Sequence, residues 1–395
     1  MIGIFVALAA VIALLLAVPA LVLAGQVAAA VFLRPRWAPT APERPRLAVL
    51  VPAHDEAAGI AATLDNLRPQ LAPGDRLLVV ADNCTDATAA VARARGAEVV
   101  ERHDPQHRGK GYALDFGIRH LEADPPEAVV IVDADCALAP GSLDILARRC
   151  VAVGRPVQAM DLMHAPAGAG LKTRLAEFAC LVKNQVRPLG FYRLGLPCQL
   201  MGTGMAFPWP VIAGVSLATG HIAEDMKLGL DLARTGAPPM FCPEALVTSA
   251  LPSAASGLAT QRARWEHGHL GIIAAELPAL LGKALRKRDG ILLALALDLS
   301  VPPLALLCLL LPAVAGMAAL LLVLGGPALP LVIALGAAAL TAVAILAAWR
   351  EFGRRVISFG DLVAALGYAL WKLPLYLKFF VGRQVEWVRT RRDEP

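Results

Sequence analysis

The sequence predicts an α/β fold, a mostly parallel sheet flanked by helices, with membrane-spanning helices N-terminal and C-terminal to it. Three observations predict it. Short apolar runs alternate with helical segments between Leu47 and Asp135, which calls for right-handed βαβ units. One of those runs, Ala128-Val129-Val130-Ile131-Val132, has four β-branched residues and ends abruptly in two carboxylates, Asp133 and Asp135. Finally, 57% of the 395 residues are apolar, and this excess over a soluble composition sits in two blocks outside the central region.

The first block runs from Met1 to Leu33 without a charge. It is too long for the apolar core of a signal peptide and reads as an uncleaved transmembrane anchor (1–33), followed by a Pro-rich linker (34–46). The second block, 291–349, is broken at Pro302-Pro303 and at Gly325-Gly326-Pro327, and its length suits two spanning helices joined at the Gly-Gly-Pro. Basic clusters flank these spans: Arg34, Arg36, Arg44 and Arg46; Lys283, Arg286, Lys287 and Arg288; Arg350, Arg354 and Arg355. All fall on one side if the central region is cytoplasmic, as in a multi-pass protein of a bacterial-type inner membrane. The segment 356–395 has Lys372, Pro374 and Lys378 among aromatic residues, then arginines from Arg383 to Arg392, and reads as an interfacial amphipathic helix with a basic tail. The net charge of +5 is accounted for by these clusters and calls for no nucleic acid. Seven cysteines without a C-x-x-C pair read as reduced thiols. Asp298, inside an apolar span, reads as an interface or bundle-packing residue, with a functional site as the alternative.

Within the central domain (47–285), Leu47–Val51 is a first strand ending at Pro52-Ala53-His54-Asp55-Glu56. A helix follows to Leu67, closed by Pro69 and Pro73-Gly74. Strand two, Leu77–Val80, ends at Ala81-Asp82-Asn83, and Thr85 or Asp86 caps a helix stopped by Gly96. Glu98–Val100 is a short third strand. A basic loop, Arg102 to Gly111, leads to a helix from Tyr112 to Leu121 and then to the strand at Ala128. The rest of the domain reads as irregular and apolar with helical patches, among them an amphipathic stretch from Lys172 to Arg187.

Candidate chemistry sits at the strand ends: His54-Asp55-Glu56, Asp82, Lys110, Asp133 and Asp135. In an open α/β sheet ligands bind beyond the carboxyl ends of the strands. Two carboxylates one residue apart can share a hard divalent cation and leave its other positions to phosphate oxygens. No G-x-G-x-x-G follows the first strand, which argues against a dehydrogenase-type dinucleotide site, and no Walker loop is present. Farther on, Glu224 and Asp225 open a helix, where the dipole favours their ionised forms, although simple capping gives the same pattern. Gln261-Arg262-Ala263-Arg264-Trp265 offers a guanidinium for a diphosphate and an indole for a sugar face; a juxtamembrane basic-aromatic helix is the plainer alternative.

Together these residues resemble the membrane-bound, inverting type of family-2 glycosyltransferase. That family's pattern is an Asp after the second strand, D-x-D, T-E-D and Q-x-x-R-W. Here Asp82, Asp133-Ala134-Asp135, Ala223-Glu224-Asp225 and Gln261 to Trp265 stand in that order. Val51 to Glu56 and Arg108 to Leu114 resemble further blocks. Ala81 and Ala223 depart from the pattern, and neither removes a carboxylate given a chemical role. The resemblance implies a GT-A type sheet and a UDP-sugar held by Glu56, Asp82, Lys110, Asp133 and Arg264. It further implies Mg2+ or Mn2+ at Asp133 and Asp135, catalysis by Asp225 with Glu224, and acceptor contacts from Gln261 and Trp265.

The implied activity is hexosyl transfer to a saccharide in extracellular or capsular polysaccharide synthesis, alongside membrane lipids and an export or regulatory subunit. A lipid acceptor, ceramide-like or polyprenyl-phosphate, is the alternative, because about three spans are few for a complete export channel. An inactive membrane scaffold is the rival from another class, opposed by the presence of every expected carboxylate.

Overall fold

The structure, a computed structural model, describes residues 2–34, 38–252 and 255–376. Packing divides these into two compact units. One takes the described residues of Pro35–Ala169 and Pro197–Arg264; the other takes those up to Arg34, Gly170–Leu196 and the described chain from Trp265 on. Gly170–Leu196 and the chain from Trp265 to 285, expected within the 47–285 domain, therefore pack with the helices.

The first unit is built on one sheet of eight strands: β1 Leu47–Ala53, β2 Arg76–Asp82, β3 Glu98–Arg102, β4 Ala128–Ile131, β5 Ala137–Leu138, β6 Val157–His164, β7 Met205–Pro208 and β8 Met240–Ala250. Their order is β3-β2-β1-β4-β7-β6-β8-β5. Strands β3, β2, β1 and β4 pair in parallel, as do β6 and β8; β7 runs antiparallel to both neighbours, and β5 antiparallel to β8. The first four strands read in the sequence are thus the parallel half of the sheet. Residues Leu47–Val51 and Ala128–Val132 are fully buried, which is why they read as continuous apolar runs rather than alternating ones. The second half is not irregular: β6, β7 and β8 extend the sheet through it.

The helix Lys110–Leu121 lies very close to this sheet. A Cβ at Gly117 would come within 2.5 Å of the Leu50 side chain and 2.9 Å of that of Val80. The chain moves outward from β1 through β2 to β3, then crosses to β4 on the other side of β1. That reversal makes the carboxyl ends of β1 and β4 the topological switch point of the sheet, the crevice where such folds bind ligands.

The second unit is helical. Among the described residues, four helices are long and apolar enough to cross a membrane: Gly3–Phe32, Ala263–Lys287, Leu304–Val323 and Leu329–Gly353. Three correspond to the spans expected from the sequence. The fourth, Ala263–Lys287, is the least apolar and begins with Arg264, Glu266, His267 and His269. Pro302-Pro303 separates the short helix Gly290–Ser300 from the next, and the turn at Gly325-Gly326 uses a φ of +89° at Gly325. Asp298 packs in the bundle: its Oδ1 accepts from Gln26 Nε2 at 2.6 Å and from Arg187 Nη2 at 2.8 Å, while Arg187 Nε donates to Gln26 Oε1 at 3.0 Å. The helix Phe359–Trp371 falls where the interfacial helix is expected. Arg36 and the chain from 377, including Lys378 and the arginines after Arg383, lie outside the described residues. None of the seven cysteines forms a disulfide.

Candidate active site

Three adjacent parallel strands deliver the first set of functional groups. β1 ends beside His54 and Glu56, β2 ends in Asp82, and β4 leads to Asp133 and Asp135. The helix Lys110–Leu121 presents Lys110 at its first residue, behind Gly109 with φ +129°. These groups line one open cleft, with Asn83, Arg108, Gln261 and Arg264.

Lys110 is the electrostatic centre. Its ammonium pairs with Asp133 and donates to the Gly202 carbonyl at 2.8 Å. Burial opposes its charge, but Asp133, Glu224 and Asp225 outweigh burial and hold its pKa above the ordinary lysine value. Asp225 reaches the same place: a Cβ at Gly202 would lie 3.4 Å from Asp225 Oδ2 and 3.6 Å from Lys110 Nζ. Gly202, at φ +93°, supplies a backbone conformation that other residues rarely adopt and leaves room for both side chains. Glu224 is pushed up to about 8 by burial and by the neighbouring Asp225, against the pull of Lys110.

The oxygens of Asp133 and Asp135 and the thiol of Cys136 lie within 4.8 Å of one another. Hard carboxylate donors of this kind suit Mg2+ or Mn2+. Cys136 orients Asp135 through a hydrogen bond. Burial, then Asp135 and Asp133, push its thiol well above the ordinary value, and its Sγ donates to Asp135 Oδ1 at 3.6 Å.

Of the ten residues singled out in the sequence, Glu56, Asp82, Lys110, Asp133, Asp135, Gln261 and Arg264 line the cleft, and Glu224 and Asp225 stand beside Lys110. Trp265 groups with the helical unit. The sequence reading missed the supports. Thr203 Oγ1 accepts from Asp133 N at 3.1 Å. Gln158, fully buried on β6, holds the loop around Gly202 by donating to Thr203 O at 2.9 Å and accepting from Met201 N at 2.8 Å. Arg102 and Asn83 grip Asp82 at 2.7 and 3.0 Å. The one available signal was Gly202-Thr203-Gly204, a turn flanked by two glycines.

A mostly parallel sheet whose switch point opens on carboxylates, a lysine and an arginine gathers, at the usual ligand crevice of an α/β domain, charges of the kind that pair with phosphate oxygens and cations. The chain belongs to the family described as Glycosyltransferase like family 2, whose profile matches residues 45–268, more than half of the sequence. It is 26% identical over 270 residues to the probable glycosyltransferase YdaM of Bacillus subtilis (strain 168), covering 64% of this chain and 62% of that relative. The match therefore spans less than two thirds of the relative's length. In fold it is similar to the mannosyltransferase PcManGT from Pyrobaculum calidifontis, solved in complex with GDP-Man and Mn2+. There the TM-score is 0.56 at 20% identity, over 92% of this chain and 99% of that one.

Proposed function

We propose that the protein is a hexosyltransferase that moves a sugar from a UDP-sugar to a saccharide hydroxyl, with inversion, in the synthesis of an extracellular polysaccharide. The observation that carries this reading is the convergence of Asp82, Lys110, Asp133, Asp135, Gln261 and Arg264, from distant parts of the sequence, around one cleft. The base lies against Asp82 and Glu56, and the diphosphate reaches Lys110 and Arg264, two cations suited to phosphate oxygens. Asp133 and Asp135 would hold Mg2+ or Mn2+, whose charge offsets the charge developing on the departing diphosphate.

Asp225 removes the proton of the attacking hydroxyl. The new glycosidic C–O bond forms as the bond from the anomeric carbon to the UDP oxygen breaks, and the proton ends on Asp225. Direct attack with a single base inverts the anomeric carbon, whereas a retaining enzyme needs a nucleophilic carboxylate.

The basic clusters flanking the apolar helices support a protein of the inner membrane with its catalytic domain in the cytoplasm. The helix Ala263–Lys287 then lies in the interface, since a crossing would carry Lys283 to Arg288 to the opposite side.

The test is incubation of the purified protein and its membranes with labelled UDP-glucose, UDP-N-acetylglucosamine and their epimers. The expected result is UDP release with a lengthened saccharide. A single glycolipid product would move the acceptor to a membrane lipid, and transfer from no nucleotide sugar would overturn the reading.

A further inference from the structure

We propose that Arg102 sets the nucleobase selectivity of the cleft by occupying one of the two oxygens of Asp82. This rests on the nucleotide-sugar reading above and adds to it a residue outside every motif of the sequence.

Arg102 is the last residue of β3 and stands opposite Asp82 in the parallel register. Its Nη1 donates to Asp82 Oδ1 at 2.7 Å and its Nη2 to Asp104 Oδ2 at 3.1 Å. The guanidinium carbon lies 5.5 Å from the centre of the Tyr112 ring. Two carboxylates and an aromatic face therefore fix a side chain only 11% exposed. Asn83 sends a second donor to the same oxygen, Nδ2 to Asp82 Oδ1 at 3.0 Å. Asn83 is itself locked: its N donates to Arg102 O at 2.7 Å, its Oδ1 accepts from Asp104 N at 2.8 Å, and its φ is 52°. Both donors converge on Oδ1. Among the described residues none donates to Oδ2, although the Asp82 side chain is only 8% exposed and lines the cleft.

A carboxylate with one open oxygen accepts one N–H. Uracil presents one, N3–H, between two carbonyls. Guanine presents two side by side, N1–H and N2–H, a pair that matches a carboxylate open at both oxygens. With Oδ1 taken, the second N–H of guanine enters a largely buried site without an acceptor and meets the donors already there. The same donors suit a uracil carbonyl. An unpaired buried donor corresponds to a loss of roughly 10–100-fold in affinity.

Equilibrium binding of UDP and of GDP to the purified full-length protein with Mn2+ reads this directly. The wild type should bind UDP roughly 10–100-fold more tightly than GDP. Arg102→Met opens Oδ1 and should lower that preference about tenfold, chiefly by a gain in GDP affinity, while Arg102→Lys keeps a donor there and most of the preference. Asn83→Ala removes the second donor and should lower it by a smaller factor, which decides the matter if Arg102→Met does not fold. Asp133→Asn, at the diphosphate end, should weaken both nucleotides alike. Equal binding of UDP and GDP by the wild type, or an unchanged ratio in the Arg102 and Asn83 variants, overturns the role of Arg102 alone. Binding of neither nucleotide overturns the nucleotide-sugar reading and the selectivity with it.

Discussion

The sheet unit and the helical unit treat buried charge in opposite ways. In the helical unit Gln26, Arg187 and Asp298 are each more than nine-tenths buried and are hydrogen-bonded to one another. In the sheet unit Asp133 is 34% exposed; Thr203 and Lys110 hold it, yet it still faces an open cleft. A charge whose partners enclose it stabilises packing. A charge held in place but left open to a cleft is available to a ligand. Sequence spacing alone does not separate the two, since Asp298 and Asp133 each follow an apolar run.

Four experiments break or sharpen this contrast. The largest effect should come from chelation: EDTA should abolish transfer and Mn2+ or Mg2+ restore it, and metal-independent turnover would take Asp133 and Asp135 out of a metal site. Next, Asp225→Asn should reduce transfer by about 10²–10⁴-fold while leaving UDP binding largely intact. Near-normal turnover of the purified variant would remove Asp225 as the base.

In the helical unit the effect should fall on stability instead. Asp298→Ala leaves Arg187 buried without its carboxylate and should cost about 3–5 kcal/mol, read by unfolding in detergent, with turnover per folded molecule unchanged. Lost turnover at unchanged stability would put this cluster in the same class as the cleft.

The last test concerns Glu224. Its folded-state pKa is raised from 4.5 to about 8, so the fold favours the protonated form. Stability is therefore full below about pH 4.5, falls as pH rises towards 8, and levels off above it. Glu224→Gln should flatten that profile and unfold at a higher temperature than the wild type at pH 9. An unaltered profile would place the titrating group elsewhere.

What the sequence made legible follows from these same physics. Strands β1, β2 and β4 announce themselves because parallel strands buried on both faces must be continuously apolar, whereas the exposed edge strand β3 shows only Val99-Val100. The carboxylates follow because they stand at strand ends. Strands β6 to β8 escaped notice: β7 has four residues, and β8 contains Pro243 and meets β6 across a register shift between Ala159 and Met160. Arg102, Asn83, Thr203 and Gln158 were also silent. Each acts through a partner chosen by cross-strand register or loop packing, and no local pattern encodes such a choice. The apolar length of Ala263–Lys287 was masked by the charged residues with which it begins.

The central claim is that Asp133 and Asp135 bring a divalent cation to the diphosphate of a bound nucleotide. Phosphorus NMR of UDP with the protein and substoichiometric Mn2+ tests it without turnover, because a paramagnetic ion beside the diphosphate broadens both phosphorus lines. The wild type should broaden them strongly, and Asp133→Asn and Asp135→Asn should each abolish most of that broadening. Equal broadening by wild type and both variants would contradict the account.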